Sequence, residues 1–133
     1  MLSSINSLAW IAVAFGGAIG AMSRYGVTLL LNKDSFPYGT VVANIAGSLL
    51  MGILAAWILL PSGQGLSDNT KLFLGTGLLG GFTTFSTFSL DSMKLFMNGE
   101  IVTASIYILL SVIGALVGIA LGYAVINHFG QTG

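Results

Sequence analysis

Hydrophobic and polar positions divide the chain into four long apolar runs separated by short polar breaks. The runs fall at about 7–31, 37–60, 70–97 and 101–127, and each meets the roughly 20 residues that a helix needs to cross the hydrocarbon core. The breaks carry helix-ending chemistry. Asn32-Lys33-Asp34-Ser35-Phe36-Pro37 closes the first run, with Pro37 placed to open the second helix. Pro61 to Asn69 is the long polar loop, in which Asp68 or Asn69 stands ready to cap the third helix. Asn98-Gly99 predicts a tight turn into the fourth. The expected architecture is all-α and integral to a membrane: one four-span domain over residues 1–133 with no soluble appendage.

The third run departs from plain lipid-facing helix. Gly75-Thr76-Gly77-Leu78-Leu79-Gly80-Gly81 offers little resistance to breaking a helix, and hydroxyl side chains then alternate with phenylalanines through Ser89. The third helix is therefore expected to break near Gly80-Gly81, and a span that carries both a breaker and a polar stripe usually lines something. The freed carbonyls of Gly80 to Thr83 would need partners that lipid does not provide. A partner chain or a small cation would meet that demand. Beyond the break a new helix would begin, its exposed N–H groups forming a local positive end. Phe85 and Phe88, three apart, project to one side, and a phenyl edge is electropositive enough to meet an anion. Thr84 and Thr87 share an adjacent face and offer hydroxyl donors. The same phenylalanine spacing also fits ordinary core packing.

Composition narrows the field. Of 133 residues, 55% are hydrophobic and only 6% charged, against roughly 25% charged in soluble domains, and mean hydropathy is +0.95. Such a chain lacks the charged surface that keeps a soluble protein dispersed. Without cysteine it can form neither a disulfide framework nor a thiolate metal site. Four basic residues balance four acidic ones, which excludes a polybasic face for nucleic acid or anionic lipid. The first run lacks a basic leader and is too long for a signal segment, so it reads as a retained span.

Charge placement leaves orientation open. With four spans, Lys71 and the amino terminus mark one side, Lys33 and Lys94 the other, and the positive-inside signal is nearly balanced. Either Lys33 and Lys94 set the cytoplasmic side, or the chain inserts both ways and pairs as an antiparallel dual-topology dimer. Four short glycine-rich helices can hardly enclose a pore alone, which favours oligomerisation.

Small residues mark where helices approach closely: Gly16, Gly17 and Gly20 with Ala18 and Ala21 on the first, Ala43 and Gly47 on the second, Gly114, Gly118 and Gly122 on the fourth. Polar residues within the spans are the functional candidates. Arg24 lies deep in the first span, where it either serves a site, snorkels, or pairs structurally. Asn44 presents two amide donors that suit an anion or an interhelical hydrogen bond. Tyr107 and Ser111, four apart, share a face of the fourth helix. Trp10 and Tyr123 fit interfacial belts. An enzyme is not expected, since His128 stands alone and no nucleophile–base or metal cluster appears. Polarity and spacing reach a small-ion pore and no further.

Gly80-Gly81-Phe82-Thr83-Thr84-Phe85-Ser86-Thr87-Phe88-Ser89 closely resembles the signature of the bacterial fluoride channels, the Fluc or CrcB family. Gly17 to Arg24 (Gly-Ala-Ile-Gly-Ala-Met-Ser-Arg), Gly39 to Asn44 (Gly-Thr-Val-Val-Ala-Asn) and the Tyr107/Ser111 pair add to it, so the match covers essentially the whole chain. The resemblance implies passive, fluoride-selective export across the bacterial inner membrane, relieving fluoride toxicity, by an antiparallel homodimer with two pores. It implies that Asn44, Phe85 and Phe88 contact fluoride and that Tyr107 and Ser111 belong to a polar track. It also implies a structural sodium ion at the dimer interface, held by the Gly80 and Thr83 carbonyls of both subunits. Arg24 matches the family's first-span arginine. One departure stands out: the track often continues with a serine one turn after Ser111, where this chain has Ala115. Some relatives work only as a heterodimer with a paralogue. The alternatives are a proton-coupled multidrug transporter, which would need a first-span carboxylate, and a non-conducting membrane adaptor. Asp91, late in the third span, is the sole acid within a span.

Overall fold

A computed structural model describes residues 6–33 and 35–131, and among them the regular structure is helical. Asn6 caps the first helix, α1 (Ser7–Leu31), its side chain accepting the Leu8 N–H at 3.2 Å. At the other end, Asn32 reaches past the turn and accepts the Gly39 N–H at 2.6 Å. That bond satisfies one of the free donors at the head of α2 (Tyr38–Leu59). Pro37 is the residue before the helix rather than its first turn.

The third apolar run is built in pieces. A short α3 (Asp68–Lys71) passes into a π-helical stretch (π1, Leu72–Leu79) and one last turn, α4 (Gly80–Phe82). After two extended residues α5 (Phe85–Met97) begins. Ser67 caps α3 by accepting the Thr70 N–H at 3.2 Å. Neither Asp68 nor Asn69 does so, because the helix has already begun at Asp68. The expected break at Gly80-Gly81 lies at Thr83-Thr84 instead. Both glycines stay helical; Gly81 is used for close approach to Gly17 rather than for bending.

α5 ends in a Schellman turn. The Gly99 N–H bonds to the Phe96 carbonyl and the Glu100 N–H to Leu95, with Gly99 at φ 78°, a conformation that glycine adopts without penalty. The chain then enters α6 (Ile101–Gln131), which runs beyond the expected end at 127. Of these elements, α1, α2 and α6 are individually long and apolar enough to cross a membrane. At 13 residues α5 is too short, reaching only about 20 Å at 1.5 Å per residue.

Helix directions follow from which glycines meet which neighbours. Gly16 of α1 lies against Phe73 and Gly77, and Gly20 against Leu78 and Phe82, so α1 and the 68–82 stretch run the same way. Gly114, Gly118 and Gly122 of α6 step along Ile45, Leu49 and Ile53 of α2, a second parallel pair. Gly39 near the start of α2 packs on Thr28 near the end of α1, so those two run opposite. The small-residue faces seen in the sequence are thus the contact faces. At all of these points but Gly114, which meets the Ile45 side chain, backbone lies against backbone, the close approach that small residues allow between membrane helices.

The buried cluster is small and sits where α2, α5 and α6 converge: Val41, Phe88, Leu95, Ala104 and Tyr107. Most remaining apolar surface faces outward, including Trp10, Phe15, Met22, Tyr25 and Leu29 on α1. An outside more apolar than the inside is what a lipid solvent permits.

The glycine contacts make a paired prediction. A methyl at Gly20 would overlap the Leu78 carbonyl, whereas one at Gly26 meets nothing within 4 Å. Gly20→Ala is expected to cost about 1–3 kcal/mol and lower the thermal midpoint of the detergent-solubilised protein. Gly26→Ala should leave it unchanged or raise it. Equal midpoints for the two variants would mean that the α1 contact does not hold the fold.

Candidate functional site

The break between α4 and α5 is the centre of the site. Thr83 and Thr84 are extended, at φ −86°, ψ 158° and φ −154°, ψ 123°. Two missing helical residues leave backbone groups that must find partners inside the protein. Asn44, projecting from α2, supplies two of them. Its Oδ1 accepts the Thr84 N–H at 2.7 Å and its Nδ2 donates to the Thr84 carbonyl at 2.9 Å. The side-chain amide thus pairs with a backbone peptide as a neighbouring strand would. One Nδ2 hydrogen is left over. Gly47, one turn from Asn44, leaves the room that the Thr83 methyl and the Phe82 ring occupy.

Other partners close the break on either side. Thr83 donates its N–H and its hydroxyl back to the Leu79 carbonyl, each at 3.0 Å. Thr84 Oγ1 caps α5 by accepting the Thr87 N–H at 3.1 Å, and donates to Thr87 Oγ1 at 3.2 Å. Of the two threonine hydroxyls read from the sequence as ligand donors, Thr84 thus gives its proton to Thr87, while Thr87 Oγ1 acts there as the acceptor. Arg24 of α1 donates from Nε to the Gly81 carbonyl at 3.2 Å. The Gly80 and Thr83 carbonyls accept no hydrogen bond among the described residues.

Beside the break lies an open cavity of about 320 Å³ whose wall includes Asn44, Ser48, Thr84, Phe85, Phe88 and Ser111. The phenyl rings of Phe85 and Phe88 stand with centroids 5.4 Å apart, tilted by 52°. Phe85 is 78% exposed and Phe88 8%, so one ring stands at the surface of this chain and the other is anchored in its core. Ser111 Oγ is buried on the same wall and has no hydrogen-bond partner among the described residues, so its proton is available to a donor role there. Ala115 lines this wall as well.

Tyr107, one turn before Ser111, faces elsewhere. It is fully buried, with Phe88 at 5.5 Å on one side and Phe36 at 5.7 Å edge-on at the other. Its hydroxyl donates to Asp91 Oδ2 at 3.2 Å, and the buried Thr40 hydroxyl donates to the same oxygen at 3.0 Å. Asp91 also borders a smaller cleft of about 220 Å³, shared with Asn32, Lys94 and Asn98. Phe88 thus lines the larger cavity, while Tyr107, tilted 35° against it, bonds the Asp91 that borders the smaller cleft. Sequence reasoning named Asp91 only as a late-span acid and missed Thr40 altogether. The signal was there in the Gly39-Thr40 step, one helical turn before Asn44.

Comparison with known proteins identifies the family. The family model described as CrcB-like protein, Camphor Resistance (CrcB), matches residues 11–123. A fluoride-specific ion channel, FluC, of Methylobacterium sp. (strain 4-46) is 43% identical over 122 residues, covering 90% of this chain and 97% of its own. The FluC of Paracoccus denitrificans (strain Pd 1222) is 48% identical over 118 residues, with 87% and 92% covered. That of Ruminiclostridium cellulolyticum (strain ATCC 35319 / DSM 5812 / JCM 6584 / H10) is 45% identical over 117 residues, with 84% and 87% covered. With the break motif and most of each apolar helix inside the matched region, the chain belongs to the CrcB-like family.

Proposed function

We propose that this chain is a passive, fluoride-selective ion channel that lets fluoride leave the cytoplasm across the bacterial inner membrane. The observation that carries this reading is the cavity wall on which the unpaired Ser111 hydroxyl, the Asn44 amide and the rings of Phe85 and Phe88 meet. Relatives of nearly the same length bear the name of fluoride-specific channels, which supports it. Its work is conduction, not catalysis.

A small anion gives up its water only where donors replace it. On this wall the donors are the spare Asn44 N–H and the Ser111 hydroxyl, and the electropositive phenyl edges add attraction without a full opposing charge. A site without a fixed cation lets the ion leave again. Tyr107 and Thr40 both donate to Asp91, so the carboxylate is held by the protein and is not among the groups lining this cavity.

The alternation of helix directions supports four crossings per chain, the third made jointly by the stretches on either side of Thr83-Thr84. The cavity is open and Phe85 is largely exposed, which fits a wall completed by a second, antiparallel copy, or by a paralogue. The unbonded Gly80 and Thr83 carbonyls fit a structural sodium ion at that dimer interface. When bound, it would supply the positive partner that these carbonyls lack.

Two predictions test the reading, both by efflux from liposomes holding the purified chain, read with fluoride and chloride electrodes. The parent should release fluoride and retain chloride, and Phe85→Ile or Phe88→Ile should cut fluoride release by about tenfold or more, since isoleucine has no electropositive ring edge to offer the ion. Parent-like release from both variants would remove the rings from the pathway. Asn44→Asp keeps the acceptor for Thr84 N–H, loses the donor and adds a negative charge. Its fluoride release should fall at least as far, and normal release would make Asn44 a packing residue.

A further inference from the structure

Ser48 has no part in the reading so far, yet it lines the same cavity as Ser111 and Ala115. It lies one turn beyond Asn44 on α2, so the two side chains share a face. Serines within helices commonly donate back to the carbonyl four residues earlier, and Ser89, Ser92 and Ser105 do so at 2.8–2.9 Å. Ser48 makes no such bond, nor any other side-chain hydrogen bond among the described residues. The two helix serines on the cavity wall are thus both left with free hydroxyls, one buried and one half-buried.

The level of Ser48 follows from the glycine contacts between α2 and α6. Gly114 and Gly118 of α6 press on Ile45, and Gly118 and Gly122 reach Leu49, so Ala115 stands near the level of Asn44 and Ile45, with Ser48 about one turn further along. Beyond Ser111, α6 gives the cavity wall only the apolar side chains of Val112, Ala115 and Leu116. We infer that Ser48 is an anion-coordinating residue of this pore, supplying from α2 the hydroxyl that Ala115 leaves out of α6. Ser111, Asn44 and Ser48 then form successive donors along one wall, and an ion moving past Ala115 meets Ser48 next rather than a purely apolar surface. This rests on the channel reading above.

The test is fluoride efflux from liposomes holding the full-length chain at equal reconstituted density. Ser48→Ala is expected to slow release by about tenfold or more, the scale of losing a hydrogen bond to a charged group. Adding Ala115→Ser to that variant should return release to within about threefold of the parent. Ser48→Gly carries the same test should the alanine variant fail to reconstitute, and Ser48→Thr should conduct like the parent. Parent-like release from Ser48→Ala overturns the assignment while leaving the channel reading intact. So does a double variant as slow as Ser48→Ala alone, which would mark Ser48 as a packing residue. A parent that releases no fluoride overturns the channel reading, and this inference with it.

Discussion

Two hydrogen bonds between the Asn44 side chain and the Thr84 peptide hold this structure at its weakest point. A helix interrupted inside a membrane exposes donors and acceptors that lipid cannot satisfy, and each left unpaired would cost several kcal/mol. An asparagine amide has the donor and acceptor of a peptide in one planar group, so it can replace a backbone neighbour in full. Thr84 then caps the restarted helix with its own hydroxyl, and Arg24 takes the Gly81 carbonyl. With those bonds made, the chain can afford an extended dipeptide where a continuous helix would have blocked any path.

Glycine packing makes that arrangement possible. The π-helical stretch brings the backbone of residues 73–82 hard against α1, and Gly16 and Gly20 accept the approach because they carry no side chain there. π-Helical turns are rare and gather at functional sites; here the stretch leads directly into the break. Gly47 does the same on the α2 side, admitting Phe82 and Thr83. Close packing and the break are one design: without the first, the second would be solvated by lipid.

The apolar core and the polar chemistry meet at Phe88 and Tyr107. Both rings belong to the buried cluster, yet Phe88 faces the cavity and Tyr107 donates to Asp91. A carboxylate inside a membrane protein is tolerated when donors surround it, and Thr40 and Tyr107 provide two on one oxygen. The aromatic pair therefore packs the helices while one ring faces the cavity and the other holds the carboxylate.

Periodicity and composition alone determined much of this molecule. Runs of about 20 apolar residues with few charges can only be membrane helices, and the small-residue stripes identified their contact faces because nothing larger fits between close backbones. The motif at 80–89 announced a break and a polar wall. The position of the break was decided in three dimensions. Gly80 and Gly81 have the weakest helical preference locally, but Gly81 is needed helical against Gly17, while Thr83-Thr84 has Asn44 waiting to satisfy it. Partners were likewise invisible in one dimension. Thr84 looks like a free hydroxyl until it is seen capping α5 and bonding Thr87, and Asp91 looks like an isolated acid until Thr40 and Tyr107 arrive from two other helices. Ser48 and Ser111 emerged as free hydroxyls for the same reason: hydrogen bonding belongs to neighbourhoods, and only folding brings residues 44, 48, 84, 88 and 111 around one cavity.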